Sequence, residues 1–199
     1  RLEGSELGKL ISAGPMAPQR VLDLGKQALE ALAFIHSQGV VHKDLKPSNY
    51  IITTDYQGRE NLHLTDFGVA YDPRDEMGRM TQAGTLLGTV RYLAPEYLMS
   101  QSVSAALDVF QMGLILAEMI TGKPVISPKT SIPQLMLLYT NGFTLPRELQ
   151  GTRVGALIDK ACELEPEKRH PDGRALLAEF QTLTTADFPS TETIATGGV

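Results

Sequence analysis

His42-Lys43-Asp44-Leu45-Lys46-Pro47-Ser48-Asn49, followed after two short apolar runs by Asp66-Phe67-Gly68, decides how this 199-residue chain is read. Its residue types match what moving a phosphoryl group requires. Such a step needs a carboxylate to orient a hydroxyl and accept its proton, an ammonium near the transferred group, and oxygen donors for magnesium. Asp44, Lys46, Asn49 and Asp66 supply that inventory. Between them, Tyr50-Ile51-Ile52-Thr53-Thr54 reads as a strand, residues 55–60 with Gly58 as a turn, and Leu62-His63-Leu64-Thr65 as the returning strand. A hairpin brings its two ends together, so residues as far apart in sequence as Asp44 and Asp66 can face one site. Two strands alone are marginal and need a helical body beneath them.

That body is legible on both sides. Upstream, Val21, Leu24, Ala28, Leu32 and Ile35 fall at helical spacing between Pro18 and Ser37, and Gly39 ends the run. Downstream, residues 66–95 hold four glycines, several hydroxyl residues and mixed charges without a period, which predicts a long surface loop of the kind that works as a lid or binding segment. Ala105 to Thr121 is the most apolar helix and the predicted centre of the core, stopped by Gly122 and Pro124. Shorter helices are predicted over residues 132–139 and 153–162, and Asp172 can cap a last one whose apolar side is Leu176, Phe180 and Leu183. From Thr184 on, Thr, Ser, Gly and Pro dominate, which predicts a mobile tail.

Composition narrows the classes. Hydrophobic residues make up 42% and charged residues 21%, as in an ordinary globular domain, and 18 basic against 23 acidic residues leave a net charge of −5. No broad basic surface offers itself to nucleic acid or an anionic membrane, so phosphate binding must be local. Cys162 is the only cysteine and falls in an apolar period, which points to a buried thiol and a reducing, cytoplasmic setting. The apolar run 109–120 is interrupted by Gln111 and Glu118, too short and too polar to cross a bilayer.

HKDLKPSN at 42–49, DFG at 66–68 and GTVRYLAPE at 88–96 resemble, in order and spacing, the catalytic loop, the magnesium-binding motif and the end of the activation segment of a protein kinase. The resemblance implies a mainly α fold, the C-terminal lobe of a kinase with a small β-hairpin beside its catalytic loop. That lobe would span residues 1–183 and begin just after the hinge, with 184–199 as a flexible tail. It implies Asp44 as catalytic base, Lys46 as the contact to the γ-phosphate, and Asn49 and Asp66 as magnesium ligands. Ser5 and Glu6 would lie near the ribose. His42 would support the loop, and His36 and His63 read as packing or surface residues. Thr89 would bridge Asp44 and Lys46, Glu96 would pair with Arg169, and Asp108 would receive backbone amides of the catalytic loop.

Lys46, Gly88-Thr89 and Tyr92 resemble the serine/threonine branch, and the compact spacing resembles bacterial eukaryotic-like kinases. The family pattern carries Arg where this chain has Lys43, which keeps the charge and loses the planar fork that clasps a phosphate. Thr81 and Thr85 are the candidate phosphorylation sites whose new charge could reach Lys43. The implied cofactors are ATP and Mg²⁺, with Mn²⁺ as a substitute, and the implied partner is a protein substrate. Only 41 residues precede His42, and they contain no Gly-rich loop, strand lysine or helix glutamate. The N-terminal lobe is therefore an expected partner, its absence predicts a chain that is essentially inactive alone, and the exposed upper face is a candidate for self-association. A pseudokinase scaffold or interaction domain is the alternative.

Overall fold

Twenty residues of helix, Pro18–Ser37, run beneath the predicted hairpin, started by a proline at a position whose missing N–H costs nothing and ended just before Gly39. A computed structural model describes residues 4–66 and 90–190 of the chain. In order, the elements are β1 (Ser5–Glu6), α1 (Leu7–Ser12), α2 (Pro18–Ser37), β2 (Tyr50–Thr54), β3 (Glu60–Leu64), α3 (Pro95–Ser100), α4 (Ala105–Thr121), α5 (Ile132–Asn141), α6 (Arg153–Ala161) and α7 (Gly173–Phe180), with five short 3₁₀ turns among them. The described residues are mostly helical, with one small antiparallel sheet in the order β1-β2-β3.

The stripe expected on α2 is buried along its whole length, from Val21 to Ile35. It packs against α7, where glycines allow close approach. A Cβ on Gly25 would meet the Phe180 ring at 2.8 Å, and one on Gly173 would meet Leu32 at 2.8 Å. Helix α4 is buried on every face from Ala106 to Thr121, as its apolar sequence predicts. It ends at Gly122, whose φ of 66° puts a hypothetical Cβ 2.3 Å from the backbone nitrogen of Pro15, so only glycine fits. Cys162 is buried against this helix, and burial pushes its thiol well above the ordinary range. Asp172 caps α7 by accepting the Ala175 N–H at 2.8 Å.

The hairpin pairs Tyr50 with Leu64 and Thr54 with Glu60. Asp55 builds its turn, its Oδ1 accepting the N–H groups of Gln57 (2.8 Å) and Arg59 (2.9 Å) while Gly58 takes φ 79°. On the other side of β2, Ser5 and Glu6 add a third strand opposite Ile52 and Ile51. Neither this strand nor helices α1 and α3 are expected from periodicity, because two and six residues are too few to display one.

The polar composition after Thr184 predicts a tail, yet through residue 190 the chain is folded. Thr185–Asp187 form a 3₁₀ turn in which Asp187 Oδ2 accepts from the Thr184 backbone (2.8 Å) and hydroxyl (3.0 Å), and Phe188 is buried. One aromatic side chain docking on the body outweighs the polar residues around it. Residues 191–199, and 67–89 of the expected surface loop, lie outside the described residues.

Candidate active site

The loop carrying Asp44 is fixed from below by α4. Asp108, fully buried in its first turn, accepts the backbone N–H of His42 at Oδ2 and of Lys43 at Oδ1, both at 2.7 Å. Its Oδ2 also meets His36 Nε2 at 2.9 Å, while His36 Nδ1 accepts the Gly173 N–H at 2.9 Å. That second bond puts the ring hydrogen on Nε2, aimed at Asp108. His36, read from sequence as a packing or surface residue, thus ties α2, α4 and α7 together at the base of the loop. His42, expected to support the loop, is 3% exposed.

Lys43 has φ 71°, the left-handed region that non-glycine residues avoid, and Asp66 has φ 52°. Each such residue costs about 1–3 kcal/mol and persists only where its surroundings hold it there. For Lys43 the holding groups are identified: Asp108 takes its N–H, and Gln111 donates to its carbonyl at 3.0 Å.

Asp44 and Lys46 point together, with Nζ 2.7 Å from Oδ2 and both side chains mostly covered. Pro47–Asn49 form a 3₁₀ turn that leads directly into β2. The backbone carbonyl of Asn49 accepts the N–H and hydroxyl of Thr65, at 2.7 and 3.0 Å, so the end of the loop is clamped to the residue preceding Asp66. The hairpin therefore brings Asn49 beside the Asp66 segment. Asn49 is 2% exposed, and its Oδ1 is buried with no hydrogen-bond partner among the described residues. A buried carbonyl oxygen left with its lone pairs free suits a hard cation, as does the exposed carboxylate-bearing Asp66. No cluster of three His, Cys, Asp or Glu side chains that could hold a metal occurs among the described residues. Mg²⁺ does not need one, because it keeps waters and binds through one or two protein oxygens plus substrate phosphates.

Other expected residues fall into two groups. Glu96 and Arg169 form a bidentate pair, both N–O distances 2.8 Å, and Arg169 also donates to the carbonyls of Ala106, Glu163 and Leu164. Ser5 and Glu6 lie on β1, on the same sheet that β2 enters from Asn49. Thr81, Thr85, Thr89 and the Phe67-Gly68 part of the second motif lie outside the described residues.

Two buried polar residues of α4 escaped the sequence reading except as interruptions of an apolar run. Gln111 accepts the Leu45 N–H at 2.9 Å and donates to the carbonyls of Lys43 and Tyr92. Glu118 accepts the Tyr92 hydroxyl at 2.7 Å, and Arg91 donates to that hydroxyl at 2.6 Å. Burial pushes both the Tyr92 phenol and the Glu118 carboxyl above their ordinary ranges; the Tyr92 hydrogen bond and the Arg91 charge partly offset this for Glu118. Their signal was available: polar side chains on a helix too apolar to face water must find partners inside. A hollow of about 710 Å³ beside the start of α6 is lined by none of these residues.

The family described as protein kinase domain matches residues 1–179. The chain is 29% identical over 189 residues to serine/threonine-protein kinase PknB of Mycobacterium tuberculosis, covering 92% of this chain and 29% of that protein. It is 37% identical over 197 residues to serine/threonine-protein kinase pkn2 of Myxococcus xanthus, covering 92% and 23%, and 28% identical over 200 residues to PknB of Mycobacterium leprae, covering 98% and 31%. The chain spans less than a third of the length of these relatives. With nearly all its length matched and its catalytic-loop motif braced from the central helix, the chain belongs to the protein kinase family and resembles the bacterial serine/threonine kinases within it.

Proposed function

We propose that this chain is the C-terminal lobe, residues 1–183, of a serine/threonine kinase that transfers the γ-phosphate of Mg-ATP to a protein hydroxyl in the cytoplasm. One observation carries the reading: the paired Asp44 and Lys46 share a loop with a buried Asn49 whose Oδ1 has no protein hydrogen-bond partner described. Asp44 orients the acceptor hydroxyl and takes its proton as the oxygen bonds to phosphorus and the bond to ADP breaks. Lys46, already beside that carboxylate, offers its ammonium to the moving phosphoryl group. Asn49 and Asp66 would hold Mg²⁺, which would supply neutralisation of phosphate charge there. Ser5 and Glu6 are the candidate ribose contacts.

The motifs that hold the α and β phosphates from above are not in this sequence, and binding without them is weak, so the chain alone should transfer phosphate negligibly. No helix among the described residues is long and apolar enough to cross a membrane. The test is phosphate incorporation from labelled Mg-ATP into casein by the full-length protein, with Asp66→Asn and Asp44→Ala alongside. The expected result is incorporation on Ser or Thr that both substitutions lower at least about 100-fold. Transfer undiminished in a folded Asp66→Asn protein would remove that residue from metal binding and the reading with it.

A further inference from the structure

Asp44 is placed by its backbone, and the backbone on both sides of it is held by one side chain. Gln111 lies three residues beyond Asp108 on α4, hence on the same helix face, and is 1% exposed. Its Oε1 accepts the N–H of Leu45 at 2.9 Å, and its Nε2 donates to the C=O of Lys43 at 3.0 Å. Those two groups flank Asp44: one belongs to the peptide unit entering it, the other to the peptide unit leaving it. The carboxamide thus closes a two-bond clasp around the residue. The second hydrogen of Nε2 goes to the C=O of Tyr92 at 3.1 Å. Two donors and an acceptor are all used, in a place where water is excluded.

We infer that Gln111 is a positioning residue which couples the seating of the segment ending at Tyr92 to the orientation of Asp44. The inference rests on the phosphoryl-transfer reading of Asp44. Three features make the coupling directional. Lys43 sits in a left-handed conformation, so the peptide unit between Lys43 and Asp44 returns to a commoner orientation when its carbonyl is released. Asp108 holds the amides of His42 and Lys43, before Asp44, and has no described bond beyond it, so Leu45 depends on Gln111. The Tyr92 carbonyl takes the other hydrogen of the same nitrogen, so displacement of residues 90–92 pulls on the planar amide and changes the geometry of the clasp itself. Gln alone among side chains of this length offers an acceptor and two donors on one planar group; Glu keeps the acceptor and loses both donors.

The experiment compares the full-length kinase with its Gln111→Met and Gln111→Glu variants. Initial rates are measured with casein as acceptor and varied Mg-ATP, and amide hydrogen exchange is followed at Leu45 and over residues 90–94. A displacement of the base without loss of the nucleotide site is expected to lower kcat about 10- to 100-fold in both variants, with KM for Mg-ATP within about twofold of wild type. Exchange should quicken at Leu45 and over 90–94 in Gln111→Met, with α4 unchanged, while Leu45 stays protected in Gln111→Glu. A folded Gln111→Met enzyme with wild-type kcat overturns the inference. So does a loss of rate accompanied by uniformly faster exchange, which is the mark of general destabilisation. Should neither variant fold, wild-type exchange decides: a Leu45 amide protected like those of α4 supports the clasp, and one exchanging like a solvent-facing amide overturns it. A wild-type protein without transfer activity would strike at the phosphoryl-transfer reading, while the exchange signature still reports on the clasp.

Discussion

The Lys46 ammonium lies 2.7 Å from the Asp44 carboxylate, and the side chains are 25% and 22% exposed, respectively. A pair so covered keeps each partner oriented without excluding substrate. If Asp44 is the proton acceptor proposed above, replacing it by Ala is expected to lower kcat by roughly 10²–10⁴. Replacing Lys46 by Met removes one stabilising charge and should cost about 10²–10³. Steady-state rates on the full-length protein check both, with circular dichroism to establish that the variants fold.

Asp108 uses both carboxylate oxygens for backbone amides, so Asp108→Asn turns an NH₂ group toward a backbone N–H. A buried donor facing a donor is expected to cost about 2–4 kcal/mol of stability. Urea denaturation measures that loss. A rate lowered further than the folded fraction explains would register the displaced loop.

Arg169 is among the most heavily bonded buried side chains described, held by Glu96 and three carbonyls. Glu96→Ala strands its guanidinium, at a cost of roughly 3–5 kcal/mol in equilibrium unfolding. The double variant Glu96→Leu/Arg169→Met should recover part of that loss, because it leaves no uncompensated charge behind.

His170 gives a pH signature. Burial pushes its imidazole below the ordinary value of 6.5, and the nearby Lys160 charge adds to this, while the Glu179 carboxylate 2.9 Å away opposes it. The folded state therefore binds fewer protons than the unfolded state between the lowered value and 6.5, so stability rises with pH through that window. The contribution is complete above 6.5 and is lost as the pH falls through the folded-state value. Urea midpoints at about pH 7.5 and about pH 5.5 should differ more in wild type than in His170→Gln.

How far the sequence reached depended on the span of each interaction. Pro18–Ser37 and Ala105–Thr121 repeat their apolar spacing over several turns, and their bounds agree with the structure. Ser5–Glu6 owes its strand to pairing with β2, and no two-residue pattern reveals that. At the site, Asp44, Lys46 and Asn49 are neighbours in sequence and were legible as a unit. Gln111 was not, because the groups it holds lie 66 and 68 positions upstream, and its role exists only once α4 passes beneath the loop. Phe188 was missed for the opposite reason: the composition of its surroundings masked a single anchoring ring.

Gln27 has a bearing on how this protein meets its own kind. Its side-chain amide accepts the Leu62 N–H at 2.8 Å and donates to the Glu60 carbonyl at 3.1 Å, the outward groups of β3. A strand whose outer rim is open can template another chain and seed aggregates. Here a glutamine imitates a neighbouring strand for one repeat and blunts that rim, so recruitment of a foreign strand along β3 would first have to evict it.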